Sequence, residues 1–388
     1  MTETAAAPAP PTSTRRTRTV AIAALATAGV AASAVFGVST ATGSTGTVAR
    51  SIAAPATSDP ALVLGGRDGW TWEAGRPAAG GTGQPSAVPA AGQATADQLV
   101  GVVDVTTVLG YAGGEAAGTG MVLSADGEVL TNNHVVEGAT SITVTVLSTG
   151  QSYRATVVGT DPTDDVAVLQ LADAGGLDTV QVDQEGAAVG DAVTAVGNAG
   201  DEAGTAAAPG TVTALDQSIT ATDESGSDAE QLTGLIGIAA DVEAGDSGGP
   251  LYDAEGEVVG MDTAAASTGG RAYAIPIATA LSIADRITSG VDDGTVHQGY
   301  PAFLGISLLA GTGGATVAGV VDGGPAATAG LTAGDVVTSV GGTTVTAAED
   351  VGTALGAYEP GDRVAVGWTD GTGQAHTATV TLAAGPAD

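Results

Sequence analysis

Gly245-Asp246-Ser247-Gly248-Gly249-Pro250 is the most specific stretch of this 388-residue chain. A nucleophilic serine needs an exposed hydroxyl and backbone N–H groups aimed where an oxyanion develops. The flanking glycines let the main chain turn tightly enough to present both. Ser247 is therefore the candidate nucleophile, and the amides of Gly245 and Ser247 are the candidate oxyanion donors. A bare glycine turn would not call for Asp-Ser at its centre.

A serine hydroxyl is a weak nucleophile without a base. The only histidines are His134, His297 and His376. His134 lies in Thr131-Asn132-Asn133-His134-Val135-Val136, after the run Gly118-Thr119-Gly120-Met121-Val122-Leu123 and a turn at Asp126-Gly127. That spacing predicts a strand end on a barrel edge, where an imidazole can be fixed. His297 falls in a linker and His376 in a terminal strand. The base needs a carboxylate to set its tautomer and steady the imidazolium. Among Asp161, Asp164 and Asp165, the last directly precedes the buried run Val166-Ala167-Val168-Leu169 and is best anchored; the other two read as turn residues. The order His134, Asp165, Ser247 is that of chymotrypsin-like folds. The serine loop also fits the Gly-x-Ser-x-Gly elbow of α/β-hydrolases, which requires the histidine after the serine and long helices between parallel strands. Such helices are few here, and that reading leaves His134 unused.

From Leu99 to about Ile287 the chain alternates short apolar runs with turns. Val102-Val103-Asp104-Val105, Ser141 to Val146 and Val258-Val259-Gly260-Met261 are separated by signals such as Ala125-Asp126-Gly127 and Ala254-Glu255-Gly256. This pattern predicts an all-β barrel or sandwich, closed by a helix over Ala278 to Ile287.

Together these segments resemble the trypsin-like proteases of the HtrA (Deg) family, closest to its exported actinobacterial PepA-type members. The histidine motif, Asp165-Val166-Ala167-Val168-Leu169, Ala195-Val196-Gly197-Asn198 and Gly245 to Leu251 all have counterparts there, and the resemblance spans roughly residues 98–383. It implies a chymotrypsin/trypsin-like double β-barrel followed by a PDZ domain, and a serine endopeptidase acting on proteins or peptides. Many members carry Asn at the place of Asp246 and Pro at that of Ala244. Asp246 is the trypsin form, which in zymogen-type relatives pairs with a newly cut N-terminus. No Ile-Val-Gly-Gly start is present to supply one, so a local hydrogen-bonding role is expected. Asp241 stands six residues before Ser247, where trypsin places the carboxylate of its S1 pocket. That would favour Arg or Lys before the cut, whereas the family resemblance implies small or medium apolar residues. The polar stretch Asp216 to Gln231 takes the place of a regulatory loop by resemblance, or is a plain insertion.

In the C-terminal part, Pro301-Ala302-Phe303-Leu304-Gly305-Ile306 resembles the carboxylate-binding loop of a PDZ domain, with Phe303, Leu304, Gly305 and Ile306 at the ligand. Gly323-Gly324-Pro325-Ala326, Ala329-Gly330-Leu331 and Ala333-Gly334-Asp335-Val336-Val337 match the PDZ pattern, and Ala347 to Ala357 would be the helix lining the groove. Such a unit captures a C-terminal or hydrophobic peptide by adding it to a sheet edge.

The net charge is −33, and all ten basic residues are arginine. A chain so acidic repels phosphate backbones, which argues against nucleic-acid partners. With no cysteine, disulfides, thiolate metal sites and a cysteine nucleophile are excluded. No cluster has zinc-ligand spacing, and no cofactor is expected. Arg15, Arg16 and Arg18 precede the uncharged apolar run Val20 to Val38, the pattern of a cleaved signal peptide or an uncleaved membrane anchor. Either places the rest of the chain outside the cytoplasm. The expected organisation is 1–38 tail plus signal or anchor, 39–97 low-complexity linker interrupted by Gly69-Trp70-Thr71-Trp72, 98–289 protease domain, 290–298 linker and 299–383 PDZ domain. Oligomeric state is not readable from these residues. The alternative function is a latent protease acting mainly as a peptide-binding scaffold or chaperone.

Overall fold

The computed structural model describes residues 61–63, 70–74, 90–111, 113–198, 205–223, 229–243, 245–266, 271–291, 294–309 and 314–387. The expected signal or anchor over 1–38 lies outside them. Among the described residues no helix is long and apolar enough to cross a membrane.

Alternating Val, Ile and Thr residues build the first barrel. Its strands are β1 (Val102–Val108), β2 (Glu115–Val122), β3 (Glu128–Thr131), β4 (Ser141–Val146), β5 (Gln151–Asp161) and β6 (Val166–Leu171). They pair antiparallel in the order β5-β4-β1-β2-β3-β6, and β6 pairs back onto β5, closing six strands into a barrel. Val105, Val129, Val144, Val157 and Leu169 fill the interior. On β4 the side chains of Ile142, Val144 and Val146 point in while Ser141 and Thr143 point out, the period-two pattern of a half-solvated strand. The helical turn α1 (Asn133–Val136) follows β3 and buries Val135 and Val136 in this core. Behind it, Gly138 donates its amide to the carbonyl of Ala387 at 2.8 Å and Ala387 donates back to Ala139 at 3.1 Å.

The second barrel repeats the plan with β7 (Ala192–Gly197), β8 (Ala206–Asp223), β9 (Ala229–Ala239), β10 (Pro250–Tyr252), β11 (Val258–Ala266) and β12 (Arg271–Pro276). The order is β8-β7-β10-β11-β12-β9, and β9 returns to β8. Val193, Ile236, Ile238, Leu251 and Val259 form its core. Helix α2 (Ile277–Thr288) follows directly, one residue longer at each end than expected, and packs on β5, β6, β11 and β12.

The stretch Asp216 to Gln231, expected as a loop or insertion, is largely strand. β8 and β9 run through it with Ile219 opposite Leu232 and Thr220 opposite Gln231. Ile219 and Leu232 are both buried, which is what holds the polar hairpin to the barrel. Asp216, at φ 54°, absorbs the bulge between Ala214 and Gln217. The segment expected as a linker also carries strands. Trp70–Ala74 pairs with the outer end of β8, and Ala61–Val63 pairs with both Trp70–Ala74 and β11.

Residues Pro301–Gly385 form a separate compact unit, while Gln298–Tyr300 group with the barrels. Its sheet runs β13 (Ile306–Leu308), β14 (Ala315–Val320), β15 (Val336–Val340), β16 (Arg363–Thr369) and β17 (Ala375–Thr381) in that order, leaving β13 at the edge. Helices α3 (Pro325–Ala329) and α4 (Ala348–Leu355) cover it. Val317, Leu331, Val337, Val351, Val366 and Trp368 are the core.

Candidate active site

Backbone geometry delivers each site residue. Thr131 ends β3, and the chain enters α1 at Asn133, so His134 sits on a helical turn rather than on the strand end expected from its spacing. Asp161 makes the turn into β6: its Oδ1 accepts the amides of Thr163 at 3.2 Å and Asp164 at 3.3 Å. Asp165 closes that turn in the left-handed region, at φ 54°. Aspartate is one of the few side chains that tolerates this conformation, and it aims the Asp165 carboxylate at α1.

His134 Nδ1 lies 3.0 Å from each Asp165 carboxylate oxygen. The His134 amide donates to Asp165 Oδ1 at 3.1 Å, and Asn132 Nδ2 donates to the Asp165 carbonyl at 2.9 Å. Imidazole, carboxylate and backbone are thus fixed together. Thr263, on β11, completes the link to the serine. Its hydroxyl donates to Asp165 Oδ2 at 2.6 Å while its carbonyl accepts the Ser247 hydroxyl at 3.2 Å. A donor on the outer carboxylate oxygen holds that carboxylate facing the imidazole.

Gly245 and Gly248 both hold positive φ, at 102° and 84°. A Cβ on Gly248 would run into the Thr119 carbonyl and the Thr131 hydroxyl, so glycine is required there by space as well as by conformation. Gly197 likewise lies against the backbone of Asp246. Among the described residues, nothing accepts a hydrogen bond from the amides of Gly245 and Ser247.

Residues 118–261 match the family described as trypsin-like peptidase domain, and residues 302–381 match the family described as PDZ domain. A Brucella suis protein named "Probable periplasmic serine endoprotease DegP-like" is 37% identical over 293 residues, covering 70% of this chain and 53% of the relative. The chain belongs to the HtrA/Deg family. A Bartonella henselae protein of the same name is 36% identical over 274 residues, covering 66% of this chain and 51% of its own length. The chain therefore spans about half the length of these curated relatives. A solved structure of "HtrA-type protease AlgW with decapeptide" is 26% identical, covers 75% of this chain and 98% of that chain, and gives a TM-score of 0.43.

Within this HtrA/Deg frame, two residues of the site escaped the sequence reading. Thr119, buried on β2, uses every polar group it has. Its amide donates to the Ser247 carbonyl at 2.8 Å and its hydroxyl to the Gly245 carbonyl at 2.7 Å. The same hydroxyl accepts the Asn198 amide at 3.0 Å, and its carbonyl accepts the Thr131 hydroxyl at 2.7 Å. A threonine between two glycines in an apolar strand was the available signal. Thr263 had no such flag, because a threonine on a β-strand is ordinary.

Other candidates fall elsewhere. Asp241 is exposed on the loop before Gly245. Asp161 is fully buried, lies 3.6 Å from Arg286, and has its carboxyl pushed above the usual range first by burial and then by Asp164. His376 stacks on Trp368 with ring centroids 5.4 Å apart and pairs with Asp370 at 2.8 Å, a surface arrangement in the PDZ unit. Asp183, Asp253 and Glu257 gather close enough to hold a cation. The first two, however, already accept turn amides, Asp183 from Glu185 at 2.9 Å and Asp253 from Glu257 at 2.8 Å.

In the PDZ unit, Leu304 is buried, and its carbonyl accepts the Ala326 amide at 2.9 Å. Gly305, at φ 78°, accepts the Val321 amide at 2.9 Å. Among the described residues the amides of Leu304 and Gly305 have no acceptor. Phe303 pairs with Ala383, and Ile306 opens the edge strand β13.

Proposed function

We propose that this protein is a serine endopeptidase working outside the cytoplasm, with His134, Asp165 and Ser247 as its catalytic triad. The observation that carries the reading is the path through Thr263, whose two hydrogen bonds join the Asp165 carboxylate to the Ser247 hydroxyl. The chemistry is acyl transfer. Ser247 Oγ attacks the peptide carbonyl, His134 takes its proton and returns it to the leaving amine, and Asp165 holds the tautomer and the imidazolium. The open amides of Gly245 and Ser247 receive the oxyanion. Water then repeats the sequence on the acyl-enzyme.

The PDZ unit takes a peptide carboxylate on the amides of Leu304 and Gly305, and the peptide extends β13 as an added strand. An extracytoplasmic location follows from the arginine-then-apolar start of the chain and accords with the periplasmic names of its relatives. Cleavage of Arg-ending against Val-ending chromogenic peptides decides whether Asp241 reads a basic side chain.

The test is fluorophosphonate labelling of the wild-type chain beside Ser247→Ala. Labelling of wild type alone is expected. A wild type that stays unlabelled, with and without peptides ending in a free carboxylate, overturns the reading in favour of a peptide-binding scaffold.

A further inference from the structure

The end of β7 lies directly against the serine loop. Gly197 packs on Asp246 so closely that a Cβ there would meet the Asp246 backbone. The next residue, Asn198, reaches across to the first barrel at two points. Its backbone amide donates to the Thr119 hydroxyl at 3.0 Å, and its side-chain Nδ2 donates to Asp104 Oδ1 at 2.9 Å.

Those two acceptors are neighbours. Asp104 on β1 and Thr119 on β2 stand opposite one another in the antiparallel register. Residues so paired project from the same face of a sheet. Val103 and Val105, on either side of Asp104, belong to the barrel core, so Asp104 and Thr119 share the face turned away from it. Asp104 is half-buried there, and a buried carboxylate needs a donor. Burial raises its carboxyl above the usual range, and the Asn198 hydrogen bond opposes that rise. Among the described residues Asn198 is the donor to the Asp104 side chain.

The second acceptor links this contact to the chemistry. A backbone N–H can only donate. The Thr119 hydroxyl therefore accepts from Asn198, and its single hydrogen is left for the Gly245 carbonyl, 2.7 Å away. The bonds run one way, from Asn198 through Thr119 to Gly245. The pairing of β7 with β8 ends at Gly197, so strand pairing does not extend to Asn198.

We infer that Asp104 and Asn198 position the oxyanion loop: the Asp104 carboxylate holds Asn198 in place, the Asn198 amide sets the Thr119 hydroxyl as a donor, and that donor anchors Gly245. Both are positioning residues, and neither touches substrate. The inference rests on the reading of the Gly245 and Ser247 amides as the oxyanion donors.

The test exchanges the two side chains in the full chain. Asn198→Asp sets two carboxylates against each other. It is expected to slow fluorophosphonate labelling of the folded protein about tenfold to a hundredfold, with peptide KM little changed. Asn198→Asp combined with Asp104→Asn restores one amide–carboxylate pair with donor and acceptor reversed, and is expected to recover most of the wild-type rate. Asn198→Ala keeps the backbone amide but loses the tie to Asp104, and should slow labelling about fivefold; it stands in if Asn198→Asp does not fold. A folded single variant of Asn198 that labels at the wild-type rate, or that raises KM with kcat unchanged, overturns the positioning role. So does an exchanged variant no faster than Asn198→Asp alone. Urea midpoints of Asp104→Asn, Asn198→Asp and the pair together read the bond without reference to activity. Coupling between the two substitutions is expected, and additive midpoints overturn the Asp104–Asn198 bond itself. If the wild type fails to label while the midpoints show coupling, the protease reading fails and the positioning role falls with it, though the bond stands.

Discussion

Thr119 donates its hydroxyl across 2.7 Å to the carbonyl of Gly245, from a strand of the first barrel into the serine loop of the second. With the hydrogen bond from the Thr119 amide to the Ser247 carbonyl at 2.8 Å, this ties the Gly245 and Ser247 carbonyls to β2, while their amides have no acceptor among the described residues. The loop is therefore set by a residue more than a hundred positions away in the chain.

Replacing that hydroxyl tests its role. Thr119→Val removes it at nearly constant volume and leaves the Gly245 carbonyl and the Asn198 amide without a partner. A loss of about 1–3 kcal/mol is expected for a buried group left unsatisfied, read as slower fluorophosphonate labelling with little change in peptide KM. Thr119→Ser keeps the donor and is expected to restore most of the rate.

Asp165→Asn should leave the fold intact and the imidazole in the wrong tautomer, lowering kcat by about four orders of magnitude. Thr263→Ala removes only the 2.6 Å bond to Asp165 Oδ2 and should cost about tenfold in kcat. Steady-state kinetics on one peptide substrate compares the two; equal losses would mean that Thr263 carries more of the geometry than its single hydroxyl bond accounts for.

Stability should fall as pH rises toward neutrality. Burial, with Glu243 and Asp241 nearby, pushes the Asp246 carboxyl from 3.8 up to about 7 in the folded protein. Between those values the native state binds more protons than the unfolded chain, so unfolding releases a proton and stability declines with pH, by about 1.4 kcal/mol per unit for one group. Below the unfolded value the contribution is fully present, and above about 7 it is gone. Asp262, its carboxyl likewise raised by complete burial, contributes a slope of the same sign. Urea midpoints measured across this range should flatten in Asp246→Asn, and an unchanged slope would show that other groups set it.

Gly248→Ala and Gly256→Ala form a matched pair, since both positions hold φ 84°. At Gly256 a Cβ meets open space, so only backbone strain of about 1–2 kcal/mol is expected. At Gly248 the Cβ collides with Thr119 and Thr131, and the variant is expected to lose labelling or soluble expression altogether. Thermal denaturation of the two proteins compares them directly.

The sequence by itself determined the all-β class and the two-part plan and singled out His134, Asp165 and Ser247 as candidates, because short motifs with steep local requirements carry that information. A serine in a glycine turn, an aspartate directly before a buried run and period-two apolar patterns are each legible within a few residues. Tertiary structure alone decided the strand character of residues 216–223 and 229–231, where Ile219 and Leu232 find a barrel to bury against. It alone brought Thr119 and Thr263 to the serine loop. Threonine is ordinary on strands, and the roles of these residues arise from hydrogen bonds and burial across strands far apart in the chain, which no local pattern records.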